Sequence, residues 1–205
     1  MHLNELGPER IRQKARKFSQ GDSVPVMLAP TQQVPVTLCQ ELRQYYPHPK
    51  YVVFIDNLFL NLPLVHVLLQ LSIGCTGTTR KNAIGIPGAL CDIKELSQAM
   101  EYSGIVGQLV GKALCFAWQD NNVVLVATTA HSIHQPSDFI TATRKRLSKS
   151  STNTRIVRPT FKGQLIAELL IPVAIDDYNH GMNAVDLANQ LRANYSCQRP
   201  FEHRT

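Results

Sequence analysis

The clearest hydrophobic run in the chain is short. Residues 50–56 (KYVVFID) place five apolar side chains, mostly β-branched or aromatic, between a lysine and an aspartate. Such a run predicts a strand buried on both faces, as in the parallel part of an α/β sheet. On either side the spacing turns helical. Upstream, Val34, Leu38, Leu42 and Tyr45 recur at helical intervals, with Thr31 as a cap and Pro47 and Pro49 as a stop. Downstream, the leucine-rich residues 60–71 predict a second helix opened by Asn57 and ended by Gly74. Residues 75–80 (CTGTTR) predict another short strand. Residues 50–80 therefore read as a β-α-β unit with Asp56 at the carboxyl end of its first strand, where ligands gather in open α/β sheets.

The rest of the pattern is more varied. Residues 1–20 are polar and predict a short basic helix; residues 23–30 form at most an edge strand bracketed by prolines. Residues 81–88 (KNAIGIPG) read as a loop and residues 91–100 as a short helix. Two apolar runs, 113–118 and 123–129, flank QDNN at 119–122, which is a hairpin signature. Residues 173–195 read as a long helix with Pro172 in its first turn and Pro200 beyond its end.

Composition narrows the class. Hydrophobic residues make up 44% and charged residues 18% of the 205, an ordinary balance for a globular chain. No apolar run approaches the roughly 20 residues of a membrane helix, and the N-terminus lacks the apolar centre of a secretory signal, so no membrane partner and an intracellular setting are expected. The five cysteines form no CxxC pair, which argues against a zinc ribbon; Cys75 and Cys115 lie in apolar stretches and read as buried thiols. The net charge of +6 permits a polyanionic partner. Much of it sits in residues 144–162, which carry Arg144, Lys145, Arg146, Lys149, Arg155, Arg158 and Lys162 and no acid. That stretch reads either as phosphate-contacting or as a solvated loop.

The carboxylates carry the candidate chemistry. Phosphodiester chemistry with two divalent metals needs hard oxygen ligands converging from separate elements. Asp56 stands on the rigid end of a strand; the plainer alternative is that it caps the helix that follows. Asp186 lies in MNAVDLANQLR at 182–192, with Asn189 and Gln190 sharing its helical face and Val185, Ala188 and Leu191 forming the apolar one. A solvated acid on an amphipathic helix is the plain alternative. Asp176 and Asp177 suit a first helical turn and require no further role.

Three strings resemble piggyBac-type transposases of the DDE superfamily. VFIDNLFLNLP at 53–63, followed by GCTGTTRKN at 74–82 and GIP at 85–87, is similar to that family's second-aspartate region. LCFAWQDNN at 114–122, with VLVATTAH at 124–131, is similar to its next block, a tryptophan-bearing strand pair ending in a T-x-H or T-x-x-H element. DDYNHGMNAVDLANQL at 176–191 is similar to Y-N-x-x-M-G-G-V-D-x-x-D/N-Q, with the wording closest to fungal members. The resemblance implies an α/β fold, an incomplete RNase H-like core with an inserted β-rich subdomain. It implies residues 31–82 as the first part of that core, 83–170 as the insertion and basic linker, and 171–205 as the helix of the third acid, with 1–30 as a divergent segment. It implies Asp56 and Asp186 as the second and third catalytic aspartates and metal ligands, with Mg²⁺ as cofactor. DNA is the implied partner, as terminal inverted repeats and TTAA targets, along with a homodimer and a nuclear location. The basic residues Arg144 to Arg158 would touch phosphate.

The match departs from the family in three places. The family's first aspartate lies inside the first core strand, whereas Asp22, the only aspartate upstream of Asp56, stands in a Gly-Asp-Ser turn. Asn183 and Ala184 replace the G-G of the third block. The chain stops at Thr205, where the family continues with further helices. The expectation is therefore a remnant, incomplete at both ends and catalytically inactive, or alternatively a DNA-binding module that does not cut.

Overall fold

The computed structural model describes residues 28–95, 100–149 and 154–194; the readings made for residues 1–20 and most of 23–30 fall outside them. Its centre is a five-stranded mixed sheet. Strand β1 (Tyr51–Ile55), helix α2 (Leu62–Gln70) and strand β2 (Ile73–Thr79) form the expected β-α-β unit, with β1 and β2 parallel. Parallel neighbours require a crossover, and α2 supplies it. Its N-cap is Asn61, whose side chain accepts from Leu64 N–H at 2.9 Å. Strands β3 (Ile105–Val110), β4 (Ala113–Gln119) and β5 (Val123–Thr128) follow as an antiparallel meander. Strand β5 then joins β2 antiparallel, giving the order β1-β2-β5-β4-β3. The segment expected as an inserted subdomain thus supplies three strands of the main sheet.

The strand buried on both faces is β4, not β1. All seven residues of β4 are buried, whereas β1 is buried only at Ile55 and leaves Val52 47% exposed. The reason is position: β1 ends the sheet among the described residues, while β4 lies inside it and is covered from both sides. Alternation along β4 builds two cores. Ala113, Cys115 and Ala117 face α2 and α3 (Gly88–Glu95), where Leu64, Val65, Leu68 and Leu90 pack. Leu114, Phe116 and Trp118 face the opposite layer, with Ile171, Ala174 and Ile175. Cys75 and Cys115 are buried as expected, and burial pushes both thiols up to about 12. Gly77 in β2 is required by close approach: a Cβ there would collide with the Ile55 carbonyl of its β1 partner.

The opposite layer is a second sheet, the hairpin of β6 (Phe139–Lys145) and β7 (Ile166–Pro172), followed by helix α5 (Val173–Asn194). Between the two strands lie α4 (Thr154–Val157) and a 3-10 turn at Arg158–Phe161. The basic stretch is therefore not a single loop, since Arg144 and Lys145 belong to β6.

Helix α1 (Pro30–Tyr45) forms where expected, but turns a different face inward. Cys39 is buried and Val36 packs on the core, while Val34, Leu38 and Tyr45 are exposed. Arg43 helps set that orientation, because its guanidinium donates to the carbonyls of Leu71, Ser72, Pro47 and Pro49. The cap also differs: the helix starts at Pro30 after Ala29, whose N–H donates to Gln32 Oε1 at 3.0 Å, so Thr31 lies inside the helix and does not cap it.

Candidate functional site

Asp56 follows the last residue of β1, at the carboxyl end of the parallel pair. Its Oδ1 accepts from Leu58 N–H at 2.9 Å, and its carbonyl accepts from Phe59 and Leu60. It therefore closes the turn before α2 rather than capping the helix, which is Asn61's part. The neighbouring crevice, about 170 Å³, is lined by polar groups including Asn57, Asn61, Arg80 and Asn82. Arg80 Nε donates to Asn57 Oδ1 at 3.3 Å.

Helix α5 packs on the strands that lead to Asp56. Tyr178 places its hydroxyl 3.1 Å from Thr78 Oγ1. Burial chiefly pushes that phenol up; the Thr78 hydrogen bond opposes the shift and the charge of Asp56 adds to it. One turn on, Gly181 meets the ring of Phe54, two residues before Asp56. From Ala174 and Ile175 at β4, through Tyr178 at β2, to Gly181 at β1, the helix crosses the sheet toward its β1 edge.

Asp186 lies eight residues beyond Tyr178, roughly 12 Å further along the axis. It is exposed, as is every residue from 186 to 194, and no hydrogen bond or ion pair joins it to a described residue. Ala188 and Leu191, expected on an inward apolar face, are also exposed; only the first half of α5, through Ala174, Ile175 and Gly181, packs against the sheets. Asp56 thus stands at the end of β1, and Asp186 on the exposed second half of α5.

A polar cluster missed from sequence lies on the same helix. Asp177 Oδ2 is 2.9 Å from His131 Nε2, and His131 Nδ1 is 2.8 Å from Thr76 Oγ1, which lies 2.6 Å from Thr128 Oγ1. Asp177 is thus more than a helix-dipole residue. The signal was present in the T-x-x-H string ending β5, but its carboxylate partner is 46 residues away.

The basic residues divide by their partners. Arg144 is committed to the fold: its Nη2 lies 2.7 Å from Asp120 Oδ2, and its guanidinium sits 5.8 Å from the centroid of the Trp118 ring. Arg146 donates to Gly163 O and Arg158 to Leu147 O, both at 2.8 Å. Lys145, Lys149, Arg155 and Lys162 are exposed.

The family described as Transposase IS4 matches residues 13–205. The chain belongs to the Transposase IS4 family. It is also similar in fold to a solved piggyBac transposase, imaged by cryo-EM as a synaptic complex with hairpin DNA. The two are 18% identical with a TM-score of 0.52, over 88% of this chain and 30% of that one. The piggyBac-type reading of the motifs and the mixed α/β core agree with both comparisons. The chain is transposase-derived, and it spans 30% of the length of the solved transposase chain.

Transposases of this class usually employ a divalent metal, which requires several hard oxygen donors in one place. Among the described residues no group of three or more His, Cys, Asp or Glu side chains is placed to hold a metal ion. A Mg²⁺ shared by Asp56 and Asp186 would lack a third such ligand among the described residues. No described helix is long and apolar enough to cross a membrane.

Proposed function

We propose that this chain is a transposase-derived protein that does not itself cut DNA. What supports this reading is that, among the described residues, no group of three or more His, Cys, Asp or Glu side chains is placed to hold a metal ion, and that Asp186 is exposed. Two-metal cleavage depends on several carboxylates positioned to ångström precision, and a site short of a ligand loses both positioning and charge stabilisation. The test is Mg²⁺-dependent nicking of duplex DNA by the full chain, beside Asp56→Ala and Asp186→Ala. The expected result is background cleavage in all three. Nicking by the parent chain that disappears in either variant would overturn the proposal.

A second reading is DNA binding without cleavage through the basic segment. It is favoured by the exposure of Lys145, Lys149, Arg155 and Lys162 around the end of the β6–β7 hairpin, and by the net charge of +6. The solved relative in fold was imaged with hairpin DNA. In this reading the partner is DNA of the terminal-repeat or TTAA type, the place of action is the nucleus, and a homodimer would double the basic surface. Affinity measured against salt tests it, because phosphate contacts release counterions and weaken as salt rises.

A further inference from the structure

Two buried threonine hydroxyls decide how His131 is protonated. Thr76 and Thr128 are 0% and 1% exposed, and their Oγ1 atoms lie 2.6 Å apart. Thr128 Oγ1 accepts from the backbone N–H groups of Ala130 and His131, both at 3.1 Å. Those bonds occupy its lone pairs, so its own proton goes to Thr76. Thr76 in turn donates to His131 Nδ1 at 2.8 Å. The chain Thr128–Thr76–Nδ1 has two links and two hydroxyl protons. A proton on Nδ1 would be a third, leaving one hydroxyl with no acceptor where water does not reach, which costs about 1–3 kcal/mol. On the other side of the ring, Nε2 faces Asp177 Oδ2 at 2.9 Å. A carboxylate only accepts, so Nε2 carries hydrogen.

We propose that His131 is a positioning residue: a neutral imidazole with its hydrogen on Nε2, which carries the hydroxyl order of the β2–β5 pair across to Asp177 and fixes the start of α5 on the sheet. The next residue, Tyr178, is held by Thr78 of the same strand, β2. Two adjacent side chains of α5 are thereby anchored to one strand, and the approach of Gly181 to Phe54 follows one turn later. The clamp does not depend on whether the chain binds or cuts DNA.

The test is imidazole ¹⁵N NMR of the full chain at neutral pH, combined with amide exchange across the first half of α5. His131 is expected as the neutral Nε2–H tautomer; an Nδ1–H or doubly protonated ring at neutral pH would overturn the proposal. His131→Gln supplies an uncharged amide whose oxygen can accept from Thr76 and whose nitrogen can donate to Asp177. It is expected to keep most of the exchange protection, while His131→Leu loses roughly tenfold or more. Equal loss in both variants, or no loss in His131→Leu, would count against the clamp. Should the leucine variant not fold, the tautomer in the parent chain still decides.

Discussion

Gly181 of α5 sits against the ring of Phe54 in β1, so close that a Cβ at position 181 would overlap the ring carbons. This packing brings the helix down onto the end strand and sets the direction in which its acidic residues lie. Two effects compete in Gly181→Ala. Replacing a mid-helix glycine gains about 1 kcal/mol of helix propensity. Overpacking a filled space costs about 1–3 kcal/mol. The Phe54 ring is held within a strand, so the second effect wins and a net loss is expected, read as a lower urea midpoint at unchanged slope. In a Phe54→Leu background the same alanine should cost less.

Arg144 is a structural cation despite its place in the basic segment. Removing it leaves the Asp120 carboxylate with the Tyr102 hydroxyl but no cation, at a site where the Arg144 and Asp120 side chains are 24% and 18% exposed. Arg144→Ala should lose about 1–3 kcal/mol of stability, and Arg144→Lys most of that, because lysine lacks the guanidinium fork that reaches Asp120 while lying over the Trp118 ring. Lys145→Ala, next in sequence but exposed, should leave the urea midpoint within about 0.5 kcal/mol.

DNA binding, if the exposed cations carry it, should divide the same residues by a different readout. Substituting Lys145, Arg155 and Lys162 together should flatten the dependence of affinity on salt, by about 0.9 in log–log slope for each duplex phosphate that is no longer neutralised. Arg144→Ala, studied where it remains folded, should leave the slope unchanged. An identical slope in the parent chain and the triple variant would remove the basic segment from the interface.

Asp138 gives a pH dependence with a definite sign. The Gln135 backbone N–H holds its carboxyl below the ordinary aspartate range against opposing desolvation, helped by the Ser132 hydroxyl and the His134 N–H. A carboxylate lowered on folding contributes stability above its unfolded value, and loses it as pH falls through the lowered folded value. The stability difference between the parent chain and Asp138→Ala should therefore be full near neutrality and shrink on acidification. A difference that grows on acidification would contradict the capping role.

The parts legible from sequence were those with a local cause. The β-α-β unit, the hairpin around Asp120 and the long helix from Val173 each carry their own periodicity or turn residues, and all three formed. Strand β3 is hard to see in the sequence because Gly107 and Gln108 interrupt a weak pattern whose outer positions are exposed. Strand β6 is hidden in the basic stretch because Arg144 and Lys145 dominate its end, although Ile140 and Ala142 alternate inward in the segment before them. The inward face of α1 could not be read from spacing, since two helical faces carry apolar residues and Arg43's hydrogen bonds to carbonyls help choose between them. At the site, Asp56 was legible as a strand-end acid. The partners of Asp177 and Tyr178 were not, because each pairing joins segments 46 to 100 residues apart.

Whether Asp56 and Asp186 share a cation can be measured directly by titrating the full chain with Mn²⁺ and following paramagnetic broadening of backbone amides. The expected result is that signals around Asp56 and around Asp186 broaden independently and weakly, each unaffected when the other aspartate is replaced by alanine. Joint broadening of both regions at the same low Mn²⁺ concentration, abolished by either Asp56→Ala or Asp186→Ala, would mean that α5 brings the two carboxylates to one metal.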